Sequence, residues 1–193
     1  MALVLTLRSA IDLPIDLSSI QPSILVSLSH QEVANRRVRI GKEEVPVGEL
    51  FSLSGTLEDS TITLEGDFQA AEGIGRELVN GNIVVRGSVG SNAGQRMKGG
   101  TLSIEGNAGH AVGAAMAGGT IRVRGDAGDE VGFDAGRGVG MMGGTITIDG
   151  GAGRYVGRRI RRGTIAVRGS VGVGAMTDAI AGTVLVLGSC DRL

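Results

Sequence analysis

The sequence predicts an all-β protein: a right-handed parallel β-helix (β-solenoid) of 19-residue glycine-rich coils with a small N-terminal α+β cap. A six-residue block that begins with Thr or Asn and ends with Gly occurs seven times. Its terminal glycines are 21, 19, 19, 25, 19 and 19 residues apart. Within each block, apolar and polar residues alternate as in a half-buried strand. A repeat of this period predicts that successive coils stack on one another.

The blocks occupy residues 61–66, 82–87, 101–106, 120–125, 145–150, 164–169 and 183–188. The second and fourth residues of every block are aliphatic. Stacking in register therefore predicts two continuous aliphatic columns inside the solenoid, with about 4.8 Å between coils. Glycines at fixed distances after each block predict corners, because glycine allows positive φ and close approach of neighbouring backbones.

The N-terminal part of the chain does not repeat. We predict a cap over residues 1–55 and a solenoid of about seven coils over residues 56–193. Residues 3–7 have the composition of a strand. Ser29 and Glu32 have the spacing of a capping box, which predicts a short helix ending near Arg36. Such a cap would cover strand edges at the open N-terminal end of the solenoid.

Composition excludes several classes of function. The formal net charge is −1, which does not favour nucleic acid as a partner. Neither a signal peptide nor a stretch of about 18 apolar residues is present, so we expect a cytoplasmic protein without a membrane contact. Cys190 is the single cysteine, and the two histidines, His30 and His110, lack further ligands at metal-binding spacing. The sequence predicts no catalytic residue and no metal site.

The last polar position of each block alternates in charge along the chain. We interpret this alternation as a structural charge ladder, because side chains one coil apart face each other and opposite charges then attract. Ordinary solvated surface charge is the alternative. The members of the ladder are Glu65, Arg86, Glu105, Arg124, Asp149 and Arg168.

One coil is rich in arginine. A six-residue insertion within residues 133–140 precedes this coil, and an insertion in a regular solenoid is typical of a binding face. Three interpretations stay open: a solvated basic face, a contact for an acidic partner subunit, and a cradle for a polyanion such as an oligoglutamate chain. The candidates are Arg154, Arg158, Arg159, Arg161 and Arg162, with Arg137 on the insertion.

The coils resemble the GXGXG repeats in the C-terminal domain of the glutamate synthase large subunit. They resemble more closely the C subunit of formylmethanofuran dehydrogenases and of the related bacterial formyltransferase/hydrolase complex. Three segments carry this second resemblance: the end of the insertion (residues 140–145), the arginine-rich coil (153–163) and the lead-in to the first coil (47–55).

The resemblance implies a non-catalytic scaffold subunit of a one-carbon formyl-transfer complex that binds the polyglutamate tail of a methanofuran-type carrier. The implied partners are a formyltransferase-like subunit and either an amidohydrolase-like or a molybdopterin subunit. The metals would lie in those subunits, and this chain would bind no cofactor of its own. The resemblance does not decide between a redox and a hydrolytic complex. The alternative is a detached glutamate-synthase-type β-helix domain that serves an amidotransferase.

Overall fold

The structure is a computed structural model that describes residues 2–191 and consists mostly of strands. The last two residues of the predicted solenoid lie outside this range. The predicted all-β class is confirmed, and the three helices are short. In chain order the elements are β1 (Leu3–Leu7), β2 (Ile15–Asp16), α1 (Pro22–Leu25), α2 (His30–Asn35), β3 (Arg37–Ile40), β4 (Glu43–Pro46), α3 (Val47–Leu50), β5 (Phe51–Ser54), β6 (Thr61–Glu65), β7 (Ala71–Glu72), β8 (Asn82–Arg86), β9 (Thr101–Ile104), β10 (Thr120–Val123), β11 (Met142–Ile148), β12 (Arg162–Val167) and β13 (Thr183–Val186).

All seven repeated blocks form strands, β6 and β8 to β13, as predicted. They pair in parallel within one nine-stranded sheet of order β13-β12-β11-β10-β9-β8-β6-β1-β5. Equivalent residues of successive repeats face each other, so that Ile121 pairs with Leu102 on one side and with Ile146 on the other. The sheet is open, with β5 and β13 as its two edges.

The rest of each repeat is also hydrogen-bonded to its neighbours. Parallel bridges join one corner of successive repeats, as between Ala108 and Ala127. Beyond that corner, the Gly113 N–H donates to the Ala93 carbonyl at 2.8 Å, and the Ala117 N–H donates to the Met97 carbonyl at 2.8 Å. Each repeat therefore stacks on the next along nearly its whole length, which fixes the backbone positions from which the outward side chains extend.

The core consists of the predicted aliphatic columns. The second strand positions are fully buried from Ile62 to Ile165, and the fourth positions are buried from Leu64 to Val167. A third column closes the far side with Met97, Met116, Met141 and Ile160. Burial of a side chain of this size contributes about 1.5–3 kcal/mol, so each member of a column stabilises the packing of its repeat against the neighbouring ones.

The N-terminal segment joins the same sheet. Strand β1 pairs in parallel with β6 and antiparallel with β5, and a separate four-stranded sheet has the order β4-β3-β2-β7. The predicted capping box is confirmed, with Ser29 and Glu32 opening α2. The Phe51 and Phe68 rings stack at 6.2 Å between centroids and join this segment to the first corner. The division of the chain at residue 55 stays a prediction.

Gly119 shows why the corners need glycine. Its φ is +87°, and a Cβ at this position would lie 2.8 Å from the Gly100 carbonyl oxygen of the preceding repeat. A larger residue would force the two backbones apart and would also be strained in this conformation.

Candidate functional site

The arginine-rich segment lies between β11 and β12, on the side of the stack that follows the first corner. Its backbone turns sharply, because Tyr155 and Arg159 have φ of 61° and 52° and Gly157 has φ of 67°. Backbone hydrogen bonds hold the turn against the next repeat, with the Arg159 N–H donating to the Thr177 carbonyl at 2.9 Å. The backbone from which the arginine side chains extend is therefore fixed relative to the next repeat.

Arg154 is neutralised within the chain. Its Nη2 and Nε donate to Asp129 Oδ2 at 2.9 and 3.2 Å, and its backbone N–H donates to Asp129 Oδ1 at 2.8 Å. The backbone N–H and the guanidinium of Arg154 hold the pKa of Asp129 below its usual range. The Asp129 carboxylate offsets the charge of this guanidinium and so weakens its attraction for a further anion.

Arg158 is held between two aromatic rings. Its guanidinium carbon lies 4.7 Å from the centroid of Phe133 and 5.3 Å from that of Tyr155. Phe133 is buried and begins the insertion, so the ring pair joins the insertion to the arginine-rich coil. Arg158 Nε is buried without a hydrogen-bond partner. Cation–π contacts hold the guanidinium against both rings, and it has no carboxylate partner within residues 2–191.

Arg159 bridges the insertion and the last repeat. Its Nη1 donates to the Gly138 carbonyl at 3.1 Å, and its Nε lies 3.4 Å from Asp178 Oδ2. The insertion is closed by a hydrogen bond of 2.8 Å from the Asp134 N–H to the Val139 carbonyl. Arg137 is exposed at the tip of this loop.

Arg161 and Arg162 are exposed, and neither has an ion pair within residues 2–191. They line a groove of about 440 Å³ together with Met142, Ile180 and Ala181. A second groove of about 230 Å³ extends from the insertion to Arg161 and Ile180. The two grooves share these two residues and therefore lie side by side, and we call them together the arginine trough.

Three ion pairs connect neighbours in the charge alternation. Arg86 lies 2.6 Å from Glu65, Arg124 lies 3.6 Å from Glu105, and Arg168 lies 3.0 Å from Asp149. Asp149 has a further partner that the predicted ladder did not include, Arg122 at 3.1 Å. These partners are half-exposed, so each pair contributes at most about 1 kcal/mol.

The described residues contain no group of three or more His, Cys, Asp or Glu placed to hold a metal ion. His110 accepts a hydrogen bond at Nδ1 from the Asp129 N–H at 3.0 Å, and His30 Nε2 lies 2.6 Å from the Gly55 carbonyl oxygen. Cys190 is exposed. Each histidine thus contacts the backbone, and neither is paired with a nucleophile. None of the helices in residues 2–191 is long and apolar enough to span a bilayer.

Comparison with known proteins gives both sequence and structural relatives. No family model matches the chain. The C subunit of the tungsten-containing formylmethanofuran dehydrogenase 2 of Methanothermobacter wolfeii is 35% identical over 96 residues, which are 48% of this chain and 36% of the relative. The C subunit of the molybdenum-containing formylmethanofuran dehydrogenase 1 of Methanothermobacter marburgensis is 32% identical over 95 residues, 49% of this chain and 24% of that relative.

The fold matches a chain in the crystal structure of the formyltransferase/hydrolase complex of Methylorubrum extorquens in complex with methylofuran. The TM-score is 0.86 at 29% identity, and the match covers 98% of this chain and 78% of that chain. The chain is thus similar in sequence, over about half of its length, to the C subunit of formylmethanofuran dehydrogenases. The resemblance predicted from residues 47–55, 140–145 and 153–163 is therefore confirmed. The aligned region spans about a third of the length of the tungsten-enzyme relative.

The carboxylates that pair with two of the arginines were not predicted from the sequence. Asp129 and Asp178 occur 25 and 19 residues from Arg154 and Arg159. Such spacings are those of adjacent repeats, once the six-residue insertion is counted. A search for opposite charges at repeat spacing outside the strands would have found both pairs, whereas the aromatic contacts of Arg158 leave no comparable signal.

Proposed function

We propose that the chain is a non-catalytic scaffold subunit of a one-carbon formyl-transfer complex, of the formyltransferase/hydrolase or the formylmethanofuran dehydrogenase type. The observation that carries this proposal is the match of 98% of the chain to one chain of such a complex. The donor set of residues 2–191 does not fit a metal site. Catalysis and the metals would then belong to partner subunits, in a cytoplasmic assembly.

The proposed architecture suits a scaffold. Residues 56–193 would wind as a right-handed parallel β-helix with residues 1–55 as its cap. The hydrogen bonds between repeats on successive sides support this architecture. A rigid rod of stacked coils holds its surface groups at fixed distances, which is the property needed to position two active sites relative to each other. An experimental structure of the complex tests both the handedness and the partners.

We further propose that the arginine trough holds the polyglutamate tail of a methanofuran-type carrier. Arg161 and Arg162 offer unpaired guanidiniums at one end of the trough, and Arg137 and the stacked Arg158 lie on the side of the insertion. Guanidinium groups bind carboxylates with two parallel hydrogen bonds and stay charged at every working pH. Arg154 and Arg159 are weaker candidates, because aspartates already bind them.

Co-purification tests the scaffold proposal. We expect a formyltransferase-like subunit, together with an amidohydrolase-like or a molybdopterin subunit, to co-purify with the tagged chain. We expect no formamide hydrolysis and no stoichiometric metal in the chain alone. Recovery of a flavin or glutaminase subunit instead would support the glutamate-synthase-type alternative and overturn the proposal.

Kinetics of the assembled complex test the tail site. We expect the double variant Arg161→Ala/Arg162→Ala to raise the apparent KM for a long-tailed carrier by about three- to tenfold, since two exposed ionic contacts are lost. The effect should shrink at high salt and vanish for a carrier with a single glutamate. Arg154→Ala is the matched control, because Asp129 already neutralises that arginine. An equal effect of the double variant on both carriers would exclude a tail site.

A further inference from the structure

The last repeat differs from the others on the outer face of the sheet. Leu185 and Leu187 point away from the core there and are 51% and 66% exposed. The position of Leu187 is charged in all six earlier repeats, from Glu65 to Arg168. The position of Leu185 holds smaller or polar side chains in the five preceding repeats: Val84, Ser103, Arg122, Thr147 and Ala166. Compared with the residues at the same positions of the earlier repeats, this pair is therefore unusually apolar.

A groove of about 290 Å³ lies beside these leucines. Ala166, on the neighbouring strand, pairs directly with Leu185. Arg168 lies on the same wall, and its carboxylate partner within residues 2–191 is Asp149, which Arg122 shares. The alternation would place an acid after Arg168, but Leu187 stands there instead. Two guanidiniums therefore share one carboxylate next to an exposed apolar pair.

From this arrangement we infer that the outer face of β12 and β13 is a docking surface for a partner protein segment that carries a large apolar side chain next to a carboxylate. The apolar chain would cover Leu185 and Leu187, and the carboxylate would reach Arg168 and complete the charge alternation from outside. A second copy of this chain fits less well, because the same face would bring further arginines towards Arg122 and Arg168. The surface is separate from the arginine trough, whose lining includes neither leucine.

The double variant Leu185→Ser/Leu187→Glu tests this surface. It gives the last repeat the outward residues of the repeat that contains Ser103 and Glu105. We expect the variant to fold at least as stably as the native chain, because the introduced carboxylate can pair with Arg168. Circular dichroism and urea denaturation verify this. Val173→Ser is the matched control, since it removes another exposed aliphatic residue, one that lines neither the groove beside the leucines nor the arginine trough.

The probe is a phage-displayed library of random peptides, selected on the native chain. We expect enriched peptides to combine Leu, Ile, Phe or Met with a neighbouring Asp or Glu. They should bind the native chain and Val173→Ser about tenfold or more tightly than the double variant. No enrichment, enrichment without acidic residues, or equal binding to the double variant would each overturn the inference. Sedimentation that shows the native chain dimeric and the double variant monomeric would overturn it in favour of a second copy.

Because this experiment uses the chain alone, its result does not depend on the carrier or on the proposed complex. A failed KM test at Arg161 and Arg162 would leave the docking surface untouched. Failed peptide selection would likewise leave the scaffold and tail proposals standing.

Discussion

Asp129 binds Arg154 through both of its carboxylate oxygens, although the two residues are 25 positions apart in the sequence. Oδ1 accepts the Arg154 backbone N–H at 2.8 Å, while Oδ2 accepts Nη2 at 2.9 Å and Nε at 3.2 Å. This contact joins the repeat before the insertion to the repeat after it. The ion pair thus lies where the interval between successive blocks is longest, at 25 residues.

The first prediction concerns the pH dependence of this contact. The pKa of Asp129 is lowered in the folded chain, so its contribution to the free energy of unfolding is complete above the ordinary carboxyl range of about pH 4. The contribution is lost as the pH falls through the lowered value. We expect Asp129→Asn to be less stable than the native chain at neutral pH and the difference to disappear in acid. Urea denaturation over this pH range measures both.

Asp126→Asn is the control for this prediction. Asp126 Oδ1 accepts the Gly151 N–H at 2.7 Å and has no ion pair within the described residues, so an amide oxygen can replace it. We expect a much smaller and less pH-dependent effect. A difference between Asp129→Asn and the native chain that stays constant down to acid pH would show that the ion pair does not stabilise the fold.

The second prediction concerns the charge ladder. Arg124→Glu would place a carboxylate beside Glu105, which Arg124 now contacts at 3.6 Å. We expect a loss of about 1 kcal/mol, because an exposed attraction becomes a repulsion. Adding Glu105→Arg should restore part of the loss. Chemical denaturation at low and high salt measures it, and absence of recovery in the double variant would mean that the alternation has no structural role.

The sequence was sufficient to predict the core of the fold. The positions of Ile121 and Val123 follow from alternation within a strand, and their stacking follows from a repeat of constant length. The capping box of Ser29 and Glu32 was predictable for a similar reason, because it is encoded within four residues. These features depend on local spacing or on strict periodicity, both of which a single sequence contains.

The environment of the arginines was much harder to predict. Five arginines in one coil indicated a basic surface, but Arg154 and Arg159 are bound by aspartates from neighbouring repeats. Long side chains also contact residues at other positions of the next strand, as Arg122 contacts Asp149. A comparison of equivalent positions alone does not find such pairs. Which charges on such a surface are paired depends on side-chain conformations that the repeat pattern does not specify.

The third prediction concerns the corner at Gly119. Gly119→Ala combines a left-handed backbone with a Cβ 2.8 Å from the Gly100 carbonyl oxygen, so we expect a loss of about 1–3 kcal/mol. Gly136→Ala is the matched control. Its φ is not in the left-handed region, and its Cβ would approach only the Asp134 side chain, at 3.4 Å. Equal unfolding midpoints for the two variants would contradict the role assigned to the corner.

A second ladder lies at the opposite end of the strands from Gly119, just after the blocks end, and involves neutral as well as acidic acceptors. Ser88 Oγ accepts the Asn107 N–H at 3.1 Å, and Asn107 Oδ1 accepts the Asp126 N–H at 2.9 Å. Further along the stack, Ser170 Oγ accepts the Ser189 N–H at 3.1 Å. Each acceptor directly follows the terminal glycine of its block. At this corner, some backbone N–H groups have no carbonyl acceptor. A side-chain oxygen of the preceding repeat accepts their hydrogen bond instead.

The last prediction tests this side-chain ladder. Asn107→Ala removes the acceptor of the Asp126 N–H, and we expect a loss of about 0.5–1.5 kcal/mol together with faster hydrogen exchange at that amide. Asn107→Ser should cost less, because a serine hydroxyl serves as the acceptor at the equivalent position Ser88. The two variants remove similar volume from an exposed site, so their difference isolates the hydrogen bond. If Asn107→Ala and Asn107→Ser showed the same free energy of unfolding and the same hydrogen-exchange rate at the Asp126 amide, the acceptor would be replaced by water without cost. The backbone contacts alone would then fix the corner.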